Sequence, residues 1–113
     1  MSNFSREVRG DVVIESVNLP RATMKESEEF KKILMEDINN GYTNLVIDLN
    51  GCEFMDSTFL GTLVIALKEV FRRGGDLKIA AAHSDAQAIL EITGTAKVFE
   101  QYISIDEAVK SFG

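Results

Sequence analysis

Asn44–Gly75, NLVIDLNGCEFMDSTFLGTLVIALKEVFRRGG, decides the fold. Leu45, Val46 and Ile47 form an unbroken apolar run that stops at Asp48, the pattern of a strand covered on both faces. Asn50-Gly51 marks a loop, and Asp56-Ser57-Thr58 then supplies three consecutive oxygen acceptors where the first amides of a helix need partners. From there Leu60, Leu63, Val64, Leu67, Val70 and Phe71 recur at helical spacing. Lys68, Glu69, Arg72 and Arg73 mark the wet side, and Gly74-Gly75 is the stop. The stretch thus delivers a small hydroxyl residue to a helix N-terminus, where backbone amides and the macrodipole favour negative charge. Capping is the commoner use of such residues; carrying a phosphate on Ser57 is the other use the position suits.

Upstream, Phe4–Val8 and Asp11–Val17 alternate, with Arg9-Gly10-Asp11 as a turn between them, so the chain opens with a hairpin. Asn18–Thr23 is a loop, because Pro20 lacks an amide proton and biases Leu19 to an extended shape. A first helix is predicted from Met24 to Asn39, capped by Thr23 and stopped by Asn39-Asn40-Gly41, with Phe30, Ile33, Leu34 and Ile38 inward. Its glutamates read as a solvated face that complements the helix dipole.

Downstream, Leu77, Ile79 and Ala80-Ala81-Ala82 predict another buried strand. His83-Ser84-Asp85 opens a third helix with Ala86, Ile89, Leu90 and Ile92 inward and Gly94 as its stop. Val98–Ile103 is expected to give a short last strand, and Ile105–Val109 a terminal helix capped by Ser104 or Asp106. Alternation of strands and helices over 113 residues predicts one α/β domain, 1–113.

Eighteen acidic against twelve basic residues give a formal net charge of -6, which disfavours nucleic acid and anionic membrane surfaces as partners. Cys52 is the one cysteine, so no internal disulfide or multi-cysteine metal site is available. No apolar run is long enough to span a membrane and no leader pattern is present; the expected location is the cytoplasm.

FMDSTFLGTLV with the preceding VIDLNG resembles the signature of STAS domains, specifically of bacterial anti-sigma factor antagonists, whose pattern is a hydrophobic residue, Asp-Ser-Ser or Asp-Ser-Thr, then Gly-Leu-Gly. ALKEVFRRGGDLKIA and AILEITGTAKVFEQYISIDEAV fall where that family has its second helix, next strand, third helix and closing elements, so the resemblance covers the chain from about Asn44 onward. It implies a small mixed sheet of about four to five strands flanked by about four helices. It also implies that Ser57 is phosphorylated by a partner anti-sigma factor that is itself a serine kinase. The unphosphorylated form would bind that partner and free the sigma factor; a serine phosphatase would reset the phosphorylated form. Two departures stand out. Val17-Asn18-Leu19-Pro20 replaces the family's Gly, any residue, aliphatic, Asp, and Phe59 replaces its usual Gly.

The docking face expected around Ser57 comprises Asp56, Thr58, Phe59 and Thr62, with Asn18 and Arg21 from the Pro20 loop. Phe59 projects either outward as a contact anchor or inward under a neighbouring loop. Catalysis is not expected, since His83 is the sole histidine and no glycine-rich phosphate loop occurs. Neither a cofactor nor a metal is expected; Asp48 and Asp56 flank the loop but read as a strand end and a cap. An alternative reading is a STAS scaffold that is never phosphorylated, a subunit of a larger regulatory or lipid-transport assembly.

Overall fold

The computed structural model describes residues 2–113. Strands β1 (Phe4–Arg9) and β2 (Val12–Val17) form the expected hairpin, and the two-residue β3 (Arg21–Ala22) leads into helix α1 (Met24–Asn39). Then come β4 (Asn44–Asp48), the two-residue β5 (Phe54–Met55), α2 (Ser57–Arg72), β6 (Asp76–Ala80), α3 (Ser84–Thr93), a 3-10 turn (Thr95–Lys97), β7 (Gln101–Tyr102) and α4 (Ile105–Lys110).

The main sheet has five strands in the order β1-β2-β4-β6-β7. Only the β1/β2 pair is antiparallel; β2, β4, β6 and β7 run parallel. This is the α/β class that the alternation predicts. One face carries the larger core, in which Val13, Val17, Leu45, Ile47, Leu77 and Ile79 of the sheet meet the apolar sides of α1, α2 and α3. The opposite face holds a smaller cluster, Val12, Ile14, Val46 and Ala80, covered by Ala108 and its neighbours on α4.

Gly74 and Gly75 end α2 for two different reasons. Gly74 adopts φ +86, which a side chain strains against, and a Cβ on Gly75 would lie 1.9 Å from the carbonyl oxygen of Thr43. That close approach lets the Asp76 amide donate to the same carbonyl at 3.0 Å and sets β6 beside β4.

Four expectations need correction. Phe71 and Ile92 fit the apolar spacing of their helices but are 67% and 82% exposed. The Ala80–Ala82 strand ends at Ala80, because Ala81 turns to φ 61 as its amide reaches the Tyr102 carbonyl. The last strand is only Gln101–Tyr102, since the chain after Gly94 first winds through the 3-10 turn.

Candidate functional site

The site is the corner where the N-termini of α1 and α2 converge. Asp56, the N-cap of α2, has extended backbone, and its Oδ1 accepts the Phe59 amide at 2.9 Å. Its Oδ2 accepts the Met24 amide, the first of α1, at 3.0 Å. One carboxylate therefore satisfies orphan donors of two helices and lies at the positive end of both dipoles. Thr23 and Glu26 close a capping box on α1 beside it: the Thr23 amide donates to Glu26 Oε1 at 2.9 Å.

With the cap supplied by Asp56, the hydroxyls of Ser57 and Thr58 are not needed for it, and both residues are exposed. Ser57 occupies the first helical position, where its own amide and that of Thr58 have no intrahelical acceptor. A negative group on Ser57 would meet those amides on one side and the Asp56 carboxylate on the other.

The small β3/β5 sheet, which the sequence does not signal, joins the Pro20 loop to this corner. Arg21 pairs with Phe54 and Ala22 with Met55 in parallel register. Pro20 lacks a donor, yet its carbonyl accepts the amides of Glu53 and Phe54 at 2.9 and 3.0 Å, and the Ala22 carbonyl accepts that of Asp56 at 3.0 Å. The Arg21 guanidinium lies 4.3 Å from the centre of the Phe54 ring. Asn18 and Arg21 are both exposed. Met24 is 69% exposed as well. Neither Met24 nor Phe54 stands out in the sequence; a helix's first residue and a residue two before an N-cap carry no pattern of their own.

Two members of the expected docking face are elsewhere. Phe59 is fully buried, its ring stacked 5.2 Å from that of Phe30, which in turn lies 4.6 Å from Phe4. Thr62 is 6% exposed. Both lie on the inward side of the first turns of α2, beside Leu63. At the corner itself Ser57, Thr58 and Met24 are exposed and Asp56 is half-buried, with exposed Arg21 stacked on half-buried Phe54 next to it. Asn18 is exposed but turns to β1, its amide donating to the Asn3 carbonyl and its Nδ2 to Ser5 Oγ at 3.1 Å.

The remaining polar groups named from sequence are engaged in local structure. Asp48 accepts from Ser16 Oγ at 2.8 Å and from the Asn50 amide at 2.9 Å. His83 Nε2 is 2.6 Å from the Asn50 carbonyl oxygen and so ties the loop after β4 to the start of α3. Cys52 is buried, with Sγ 3.3 Å from the Phe54 carbonyl oxygen, and burial pushes its thiol up from the ordinary range. Among the described residues no group of three or more His, Cys, Asp and Glu side chains is placed to hold a metal, and no helix is long and apolar enough to cross a membrane.

A profile of the STAS domain matches residues 5–108. The chain belongs to the STAS domain family. A candidate anti-sigma factor antagonist of Thermotoga neapolitana is 29% identical to this STAS chain over 108 residues, 95% of each protein. The crystal structure of a candidate anti-sigma factor antagonist from Thermotoga maritima superposes with a TM-score of 0.90 at 27% identity, covering 96% of this chain and 92% of that one. SpoIIAA, an anti-sigma factor antagonist solved in its unphosphorylated form, shares the fold at a TM-score of 0.85 and 15% identity, covering 96% of this chain and 95% of its own.

Proposed function

We propose that this STAS domain is a cytoplasmic, non-enzymatic anti-sigma factor antagonist whose binding is switched by phosphorylation of Ser57. In this reading the unphosphorylated form binds an anti-sigma factor with serine kinase activity and releases the sigma factor. The kinase moves the γ-phosphoryl group of ATP to Ser57 Oγ, releasing ADP, and the hydroxyl gives up its proton to a base of the kinase. A serine phosphatase hydrolyses the phosphoester with water to restore the hydroxyl and release inorganic phosphate. The observation that carries the reading is an exposed Ser57 hydroxyl at the first position of a helix whose capping is done by its neighbour Asp56. The names of the Thermotoga relatives support the partner class.

The mechanism is electrostatic. A phosphate adds about -1.5 to -2 charge at neutral pH. Inside an interface, and next to Asp56, that charge costs desolvation and like-charge repulsion, while the free amides of Ser57 and Thr58 offset its effect on the fold. Binding therefore falls far more than stability. Arg21, Asn18, Thr58 and Met24 supply the rest of the contact surface, with Asp56 holding it in shape.

The scaffold alternative draws on Pro20 and Phe59. The carbonyl of Pro20 accepts the amides that start β5, and the ring of Phe59 turns into the core, so Phe59 puts no bulk over Ser57. The test is the affinity of the anti-sigma kinase for wild type, Ser57→Ala and Ser57→Asp. Ser57→Ala is expected to bind like wild type and Ser57→Asp at least about tenfold more weakly; equal binding by Ser57→Asp rejects the charge switch.

A further inference from the structure

The far end of α2 carries a second surface. Val64, Leu67 and Phe71, one side of the helix over two turns, face Val98 across an open apolar groove of about 390 Å³, with Lys68 and Lys97 at its edges. Phe71 is 67% and Val98 54% exposed. The chain leaves α3 at Gly94 in a left-handed turn and passes through the 3-10 helix to Val98, which lines the groove together with Phe71.

Charge distinguishes this groove from an ordinary apolar patch. On a chain of net charge -6 it is bracketed by two lysines. The only carboxylate nearby on the helix, Glu69, is occupied by Arg72 at 3.5 Å and Arg73 at 3.0 Å, which leaves both lysines out. An apolar floor two helical turns long with a cation on each side complements an amphipathic helix whose apolar stripe is flanked by carboxylates. We propose that this groove docks an acidic amphipathic helix of a partner protein, independently of the state of Ser57. Phe71 lies about 21 Å from Ser57 along the helix axis, at 1.5 Å per residue, so a charge at one end is separated from the other by more than two Debye lengths of about 8 Å at physiological salt.

Two fluorescent amphipathic peptides of about 15 residues, alike in their leucine stripe and flanked by either glutamates or lysines, test the proposal by anisotropy against the whole protein. The glutamate peptide is expected to bind at least about tenfold more tightly than the lysine peptide. Phe71→Ser should remove that binding, Lys68→Glu with Lys97→Glu should reverse the preference, and Ser57→Asp should change neither affinity. All of these side chains lie at the surface, and far-ultraviolet circular dichroism checks that each variant is folded. Equal binding of the two peptides, binding that survives Phe71→Ser, or no binding overturns the proposal. So does concentration-dependent self-association that Phe71→Ser abolishes, which would make the groove a contact between copies. Lysine-dependent sedimentation with phosphatidylglycerol vesicles, without peptide binding, would assign it to a membrane surface and equally overturn it.

Discussion

The helices α1 and α2 are tied together at both ends, by opposite charges. At their N-termini the Asp56 carboxylate accepts one amide from each helix, at 3.0 and 2.9 Å. At their C-termini the Arg73 guanidinium reaches from α2 to the Ile38 carbonyl of α1 at 3.2 Å and pairs with Glu69 at 3.0 Å. Each clamp has the sign that the helix dipoles favour. They differ in what they leave over. The N-terminal clamp uses one carboxylate and leaves the Ser57 and Thr58 hydroxyls exposed. Beside the C-terminal end of α1, by contrast, titratable groups are sunk into the fold: Arg6 Nε donates to Asp37 Oδ1 at 2.9 Å, and Glu15, 1% exposed, lies against the same pair. The first end leaves its hydroxyls open to solvent, whereas at the second the titratable groups are part of the packing.

The largest effect expected concerns what anchors the N-terminal end. Phe59→Ala should lose about 3–5 kcal/mol in denaturant unfolding, the range for an aromatic deleted from a core. Exposed Phe71→Ser at the other end of the helix should stay within about 0.5 kcal/mol. If the two cost the same, Phe59 is not the anchor its stacking implies.

Asp56→Ala should cost about 1–2 kcal/mol, above the usual loss of one cap because two helices share it. Thermal unfolding measures this, and a change below about 0.5 kcal/mol would mean that the shared carboxylate holds neither helix.

At the C-terminal end the expected signature is pH dependence. Burial first, then hydrogen bonding to Asp37 and the charge of Asp37, push the Glu15 carboxyl from 4.5 up to about 9, against the smaller pull of Arg6. The native state therefore keeps a proton that the unfolded chain releases. Its stabilisation is full below about pH 4.5 and is lost as pH rises toward about 9. The slope is at most about 1.4 kcal/mol per pH unit for one proton. Glu15→Gln, which keeps a donor toward Asp37, should flatten unfolding free energy against pH across that window. An unchanged slope would move the titration to another group. The smallest effect is expected from Arg73→Ala, about 0.5 kcal/mol for an exposed clamp, and less at high salt.

The strands, the helices and the location of Ser57 were legible because each rests on local signals: the apolar run Leu45–Ile47, the Thr23 and Asp56 caps, and the Gly74-Gly75 stop. What was not legible depends on neighbouring elements. Phe59 and Phe71 sit twelve residues apart on one helix; the sequence leaves Phe59 open to either side and counts Phe71 in the inward stripe, whereas Phe59 is buried on Phe30 and Phe71 is 67% exposed. The β3/β5 pair is two residues long, below any periodicity, yet it is what brings Arg21 beside Phe54, three residues before Ser57. Glu15 alternates correctly for an inward position on β2, but its partner Asp37 comes from another element.

The central claim concerns one oxygen atom. Intact-protein mass spectrometry after incubation with the partner kinase and ATP, run alongside size-exclusion chromatography of the complex, tests it most directly. The account predicts a single added phosphate that Ser57→Ala abolishes, with loss of the complex as the phosphate accumulates. A complex that persists with Ser57 fully phosphorylated, or a phosphate that still appears on Ser57→Ala, would contradict it.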